Sequence, residues 1–419
     1  MSNFQLGSLR AWWIWALAVT FVVFLFSFQT GYAIVNASVQ GELGISVAQV
    51  ATIAAVYTWA FAIFQFFGGA ALDRLGAGKV LPVAIGLVTL GIFTFANANS
   101  FEMLLLSQVI IAVGSCTGFV GAGYVGGKWF GMAKFSFMFG LVQMIAALTS
   151  AFSQNLIGLA LDSTTWRTLF NCTAVFGVAL TVLGFMFIKD PEPVASDHRG
   201  GIGEFFASVI HDLIQVFKSG HVWLVAIIGA LSFGAMLALG VIWMPKILMV
   251  HGLSEGTANF GASMLWLGLA VGSATVPHWS DVVRKRKFPI LVCNAGQLLV
   301  FLALINIANL GSAAAMFLCF VFGFCNASHM LSFSSSADVV RPQQIGTAAS
   351  VVNGIMFIIG GVLMSRPGVR IGWGIDEGID AGSLDLVQYA ALPITIALVL
   401  AFVLAIVMRE SYPKEGMSS

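Results

Sequence analysis

Asp73 and Arg74 stand directly behind a long apolar run in GGAALDRLGAGKV, Gly68 to Val80, with Gly76, Gly78 and Lys79 close after them. A carboxylate at the end of an apolar helix can accept hydrogen bonds from backbone N–H groups at a neighbouring helix N-terminus, while an adjacent guanidinium pairs outward. Gly69, four residues ahead of Asp73, lacks a side chain and so admits close approach of a second helix. The plainer reading is that Asp73 and Arg74 only stop a helix at a surface, which needs no particular spacing. His329, in FCNASHMLSFSSSADVV, is the titratable residue set deepest among apolar neighbours. It lies nine residues before Asp338, roughly 13 Å at 1.5 Å per residue. A ring at that depth whose exposure alternates can load and release a proton; a neutral, hydrogen-bonded structural histidine is the competing reading.

Uncharged polar residues extend this set. Gln29, Tyr32 and Asn36 recur at spacings of three and four, which places them on one helical face. Gln143 and Asn353 stand at corresponding depths of the two halves of the chain, and Asn326 precedes His329 by three positions. Tyr57, Tyr124, Trp243 and Trp266 are candidates for aromatic walls around a solute, against the commoner use of aromatics in packing or facing lipid. Lys246, Arg366 and Arg370 stand near segment ends, where they either attract an anion or snorkel to an interface. The five cysteines, Cys116, Cys172, Cys293, Cys319 and Cys325, sit in apolar stretches without C-x-x-C or ligand spacing, so they read as packing residues, and neither a metal nor a cofactor is expected.

The elements that hold these residues follow from composition. Of 419 residues 59% are hydrophobic and 9% charged, and the mean hydropathy is +0.95. A water-soluble fold cannot cover that much apolar surface. A net charge of +1 gives no reason to expect a nucleic-acid partner. Segments of about 20 apolar residues, enough to cross a bilayer, are expected at 11–36, 47–71, 79–97, 102–127, 135–160, 166–188, 221–246, 256–279, 288–308, 311–336, 344–365 and 386–408. The fold class is therefore all-α and polytopic, with twelve transmembrane helices in two pseudo-symmetric six-helix bundles, 1–188 and 221–419, joined by a linker over 189–220. The run "MSNFQLGSLRAWWIWALAV" reads as the start of the first span rather than a cleaved signal. Within the linker, GEFFASVIHDLIQVF sets Phe205, Phe206, Val209, Ile210, Leu213, Ile214 and Phe217 on one face and Glu204, Ser208, His211, Asp212 and Gln215 opposite, the pattern of a helix lying at a membrane surface. With both termini cytoplasmic, only Arg167, Lys246, Arg366 and Arg370 of the 19 basic residues fall outside, as the positive-inside rule requires.

The two halves repeat. LGIS at Leu43–Ser46 is echoed by HGLS at His251–Ser254, and the same shift of 208 positions relates Asp73 to Asp281 and Lys79 to Lys287. Parallel six-helix repeats are a transporter architecture, with the solute bound near the bilayer midplane.

On these residues the chain resembles the major facilitator superfamily. Gly69, Asp73, Arg74, Gly76 and Lys79 are similar to its signature loop between the second and third spans. Trp166-Arg167, HGLS and Gly346-Thr347-Ala348 add to the likeness. The resemblance implies a gate built from Gly69, Asp73, Arg74, Gly76, Lys79 and Asp281, a monomer as the default state, and alternating access to a central site. Ala77 stands where the family often has a basic residue, and the second copy, PHWSDVVRKRK, carries Pro277 and Val282 in place of the Gly and Arg. The stretches GAGYVGGKWFGMAKFSFMFGL, DRLGAGKV and MRESYP look most like the phagosomal nutrient transporters, which implies proton-coupled symport of an amino acid or similar polar solute across a bacterial inner membrane, with His329 as proton carrier. Organic anion or siderophore transport, exchange and efflux are the alternatives. A membrane enzyme would need a nucleophile with its base, or a metal cluster, and no H-E-x-x-H, G-x-S-x-G or Walker loop occurs. A non-transporting sensor on the same scaffold would not need the gate residues.

Overall fold

In the computed structural model, which describes residues 5–191 and 202–413, helices dominate, and twelve of those described are long and apolar enough to cross a membrane. They run α1 Leu9–Leu43, α2 Val47–Leu75, α3 Ala77–Ala96, α4 Phe101–Phe130, α5 Phe135–Leu161 and α6 Trp166–Phe187. After the non-spanning α7, Ile202–Phe217, come α8 Gly220–Val250, α9 Glu255–Val283, α10 Lys287–Asn306, α11 Ser312–Ala337, α12 Ile345–Asp376 and α13 Leu384–Val407. Most of the linker, 192–201, lies outside the described residues.

Two compact units result, Met1–Val216 with Arg341–Val351, and Phe217–Val340 with Val352–Ser419. The first thus includes the opening turns of α12.

The echo of LGIS in HGLS has a local cause. Gly44 and Gly252 adopt φ of +62° and +82°, a backbone region that side chains disfavour. Ser46 and Ser254, two residues on, then accept from the backbone N–H of Gln49 and Thr257, capping α2 and α9. Gln49 Oε1 returns a bond to the Ser46 N–H at 2.8 Å and completes a capping box.

Trp166 and Arg167 clamp the opposite end of the first unit. The Trp166 indole and the Arg167 Nε donate to the two oxygens of Glu42, each at 2.6 Å. Arg167 also donates to the carbonyls of Ala96 and Ala98, both at 2.8 Å, so one side chain joins the ends of α1, α3 and α6.

Three boundaries differ from the sequence expectation. α1 continues to Leu43 because Asn36 and Ser38 do not interrupt it. α12 passes through Pro367 to Asp376, so Arg366 and Arg370 lie within it rather than after it, and Arg370 reaches the Tyr389 carbonyl at 2.6 Å. α7 buries Val209, Asp212, Leu213 and Val216 and exposes Ile210 and Ile214. Asp212, expected on the solvated face, is buried because it holds cations; the side chains of Phe205 and Phe206 lie outside the described set. Cys172, expected among packing residues, is exposed on α6.

Candidate functional site

At the end of α2 the Asp73 carboxylate, 8% exposed, accepts three hydrogen bonds from the start of α12. Oδ1 takes the Gly346 N–H at 2.9 Å, and Oδ2 takes the Thr347 N–H at 2.7 Å and its hydroxyl at 2.8 Å. A helix N-terminus offers unpaired N–H groups and a positive dipole end, so a carboxylate there is held both by charge and by geometry. Gly69 makes the approach possible, since a Cβ on it would collide with the Gly346 carbonyl. Arg74 extends the joint by donating to the Ser208 carbonyl at 2.7 Å and pairing with Asp212. Gln344 donates to that same carboxylate at 3.3 Å.

Gly76, with φ of +81°, turns the chain from α2 into α3. The N–H groups of Ala77 and Gly78, at the opening of α3, are both taken by Asp190 at 2.9 Å. Lys79 is exposed beside them.

Asp281 does not repeat the Asp73 arrangement. It pairs with Arg286 at 2.7 Å inside the second unit, and Arg286 also holds Asp338 at 3.0 Å. The copies have therefore diverged at this residue. What is repeated is the cap: Glu410 takes the N–H groups of Arg286 and Lys287 at 2.7 and 3.2 Å, as Asp190 does at α3. Asp190, Asp212, Arg286 and Glu410 were not among the expected site residues. A readable signal existed for two of them, because Lys189-Asp190 and Arg409-Glu410 are basic–acidic pairs that each follow the last span of a half.

The polar candidates divide by unit. In the first, Gln29 on α1 donates to the Tyr57 hydroxyl on α2. Two turns along α2, Gln65, 1% exposed, donates to Ser350 at 3.4 Å and keeps its Oε1 without a partner. Tyr32 packs its ring edge-on against Phe95 at 5.6 Å, and its hydroxyl is buried without a partner. Asn36 is half-buried, and Gln143 is buried on α5. Tyr124, expected in a solute wall, instead lines a cavity of about 200 Å³ with Lys128, Phe135, Pro342 and Ile345; the Lys128 ammonium lies 5.5 Å from its ring. Its place near the last turns of α4 sets it with the Asp73 end.

In the second unit Asn353 is buried with its amide nitrogen unpartnered. Asn326, expected as a solute contact, spends its amide on Ser232, at 2.8 Å to the carbonyl and 3.1 Å to the hydroxyl, in a fully buried network with Gln297. It joins α8 to α11, and this packing role replaces the expected one. His329 is 3% exposed; its Nδ1 donates to the Asn326 carbonyl at 2.8 Å and its ring stacks on Phe233 at 4.5 Å. Trp243 and Trp266 both use their indole N–H internally, on Met364 O at 2.9 Å and Gly240 O at 3.3 Å. Gly240 belongs to a π-helical turn, Leu239–Trp243, just ahead of Pro245. Such turns leave carbonyls out of register, and Trp266 takes one of them.

Residues 16–365 match the family model of the Major Facilitator Superfamily. The chain is 24% identical to a hexuronate transporter of Bacillus subtilis over 59% of each chain, so it aligns with about three fifths of that relative's length. An uncharacterised Bacillus subtilis transporter, YybO, is 18% identical over 84% of this chain and 85% of its own. A probable galactarate/D-glucarate transporter of the same organism is 27% identical over 38% of this chain and 36% of its own. Among solved structures, the E. coli fucose:proton symporter FucP matches with a TM-score of 0.68 at 16% identity, over 94% of this chain and 98% of that one. FucP in an outward conformation matches with a TM-score of 0.70 at 15% identity and the same coverage.

Proposed function

Because the chain belongs to the Major Facilitator Superfamily, we propose that it is a secondary transporter of a small hydroxylated organic solute, a sugar or sugar acid, moved by alternating access with proton symport. The observation that carries this reading is a set of buried polar atoms without partners, Tyr32 Oη, Gln65 Oε1 and Asn353 Nδ2, in helices that cross hydrocarbon. Such atoms are costly there and mark solute pathways. They are hydroxyl and amide groups, which match the donors and acceptors of a polyol. The relatives named for hexuronate and for galactarate/D-glucarate support the same class.

Asp73, Gly69, Arg74 and Gly76 form the gate in this reading, since the joint rests on hydrogen bonds that can open and re-form. Gln29, Tyr57, Asn36 and Gln143 accompany the orphaned atoms as solute contacts. The protein works as a monomer in a bacterial inner membrane with both termini cytoplasmic, its halves divided at the 189–220 linker.

Uptake into proteoliposomes of labelled sugars, sugar acids and amino acids, with and without an inward proton gradient, tests the proposal. Accumulation of sugars or sugar acids that requires the gradient is the expected result. Accumulation of amino acids alone would replace the solute class by the one the phagosomal transporters suggest. Equal uptake without a gradient would remove proton symport. His329→Gln then decides the carrier: accumulation lost with exchange spared assigns the proton to His329, and unchanged accumulation leaves the ring a packing residue.

A further inference from the structure

At one end of the second unit three carboxylates meet one buried guanidinium. Arg286, 5% exposed, holds Asp281 at 2.7 Å and Asp338 at 3.0 Å, and lies 4.7 Å from the ring of Tyr412. Glu410 caps the N–H groups of Arg286 and Lys287. The segment Glu410–Tyr412 is thereby laid over the cluster. Ser411, between them, places its hydroxyl 2.6 Å from Ser335 Oγ and 3.5 Å from Asp338 Oδ2. Ser335 Oγ is in turn 2.9 Å from His221 Nε2. A hydrogen-bonded chain therefore runs from an imidazole at the start of α8, through one hydroxyl on α11 and one on the C-terminal segment, to the carboxyl that follows α11.

Each hydroxyl in such a chain can donate in either direction. With a proton on Asp338, the carboxyl donates to Ser411, Ser411 to Ser335, and Ser335 to a neutral ring nitrogen of His221. With the proton on His221, every link reverses and Asp338 accepts as a carboxylate. Only O–H and N–H bonds change between these two forms.

Charge decides which form holds the segment down. Asp281, Asp338 and Glu410 together outnumber Arg286, while Arg284, Lys285 and His278 on the α9 side are exposed to solvent. From α8 the facing group is His221, which Glu410 reaches electrostatically. Burial is the largest influence on Asp338 and pushes its carboxyl up to about 6, the repulsion from Asp281 adding to it and the pull of Arg286 opposing it.

We propose that the chain His221–Ser335–Ser411–Asp338 is a proton-binding site, and that the proton it takes fastens the segment Glu410–Tyr412 over Arg286. Loss of that proton leaves like charges on Asp338, Asp281 and Glu410, and the segment lets go. The sign follows from linkage: a carboxyl that holds its proton more tightly when covered than in water favours the covered state as pH falls. Between an ordinary value of 3.8 and one of about 6, fastening at about pH 5 is favoured roughly tenfold over about pH 7.5.

Hydrogen exchange at the Arg286 and Lys287 amides reads the fastened state directly, because Glu410 accepts both protons. Full-length protein in lipid nanodiscs is compared at about pH 5 and about pH 7.5, each rate divided by its intrinsic value. Protection roughly tenfold greater at the lower pH is expected. Asp338→Asn, neutral throughout, should hold the same protection at both. Equal protection in the wild type, the opposite slope, or an Asp338→Asn variant that keeps the wild-type pH dependence would overturn the proposal. If that variant does not fold, Ser411→Ala replaces it: protection at the lower pH falls to the level seen at the higher one, and an unchanged profile rejects the site. Exchange is read without uptake, so either result leaves the transport reading standing.

Discussion

Asp73 carries more of this molecule's behaviour than any other single side chain, since three donors of the α12 terminus converge on its two oxygens. Asp73→Asn removes the charge and turns an NH2 group toward those donors. Hydrogen bonds to a charged group contribute about 1.5–3 kcal/mol each, so the joint weakens while the helices, packed elsewhere, remain. Uptake is expected to fall about tenfold with little change in the thermal unfolding temperature; wild-type turnover would remove Asp73 from the gate. Glu42 offers a pH test at the same scale. Its hydrogen bond from Arg167 holds its carboxyl below the ordinary 4.5. The stability it contributes is present above that value and is lost as pH falls below it. Glu42→Gln should therefore flatten the acid limb of the unfolding curve below about pH 4.5, and an unaltered limb would show that the pair contributes nothing.

For elements, the expected and observed helices agree where the cause is local. Ser46 and Ser254 cap whatever follows them, and apolar runs bounded by charge set most span ends. Agreement fails where the deciding contact is distant in sequence. The Glu42 pairings lie 124 and 125 positions away and draw α1 past Asn36, and Arg370 satisfies the Tyr389 carbonyl and so remains within α12. The π turn of α8 was signalled only by Gly240 and Pro245, and its consequence depends on Trp266 arriving from α9. For the same reason the polar candidates were legible as a set while Asn326 and Tyr124 were misplaced individually: spacing gives a helical face but not the neighbour that face meets. The meeting of α2 and α12 yields a sharper test, because it is backbone against backbone. Gly69→Ala places a methyl against the Gly346 carbonyl and should reduce uptake more than Asp73→Asn does, with the folded fraction measured by size-exclusion chromatography. Equal or milder loss would mean the helices can separate there at no cost to transport.

On the scale of the whole molecule, the two halves keep the same caps on α3 and α10, drawn from the same place behind the last span of each, yet use their paired aspartates differently. Asp73 meets a helix end and Asp281 meets a guanidinium, so a shared ancestral plan has been put to two uses. That the first unit takes in Arg341–Val351 also bears on how the chain is made. Its own cap, Asp190, leaves the ribosome as soon as the sixth span is finished, but the acceptors of Asp73 come 156 positions later. At about 5–20 residues per second, the carboxylate waits on the order of ten to thirty seconds for its partner, and the amino-terminal half is released from synthesis with its joint still open. A nascent chain arrested before residue 341 should expose a cysteine placed at position 69 or 73 to a thiol reagent, and one arrested well beyond residue 351 should protect it.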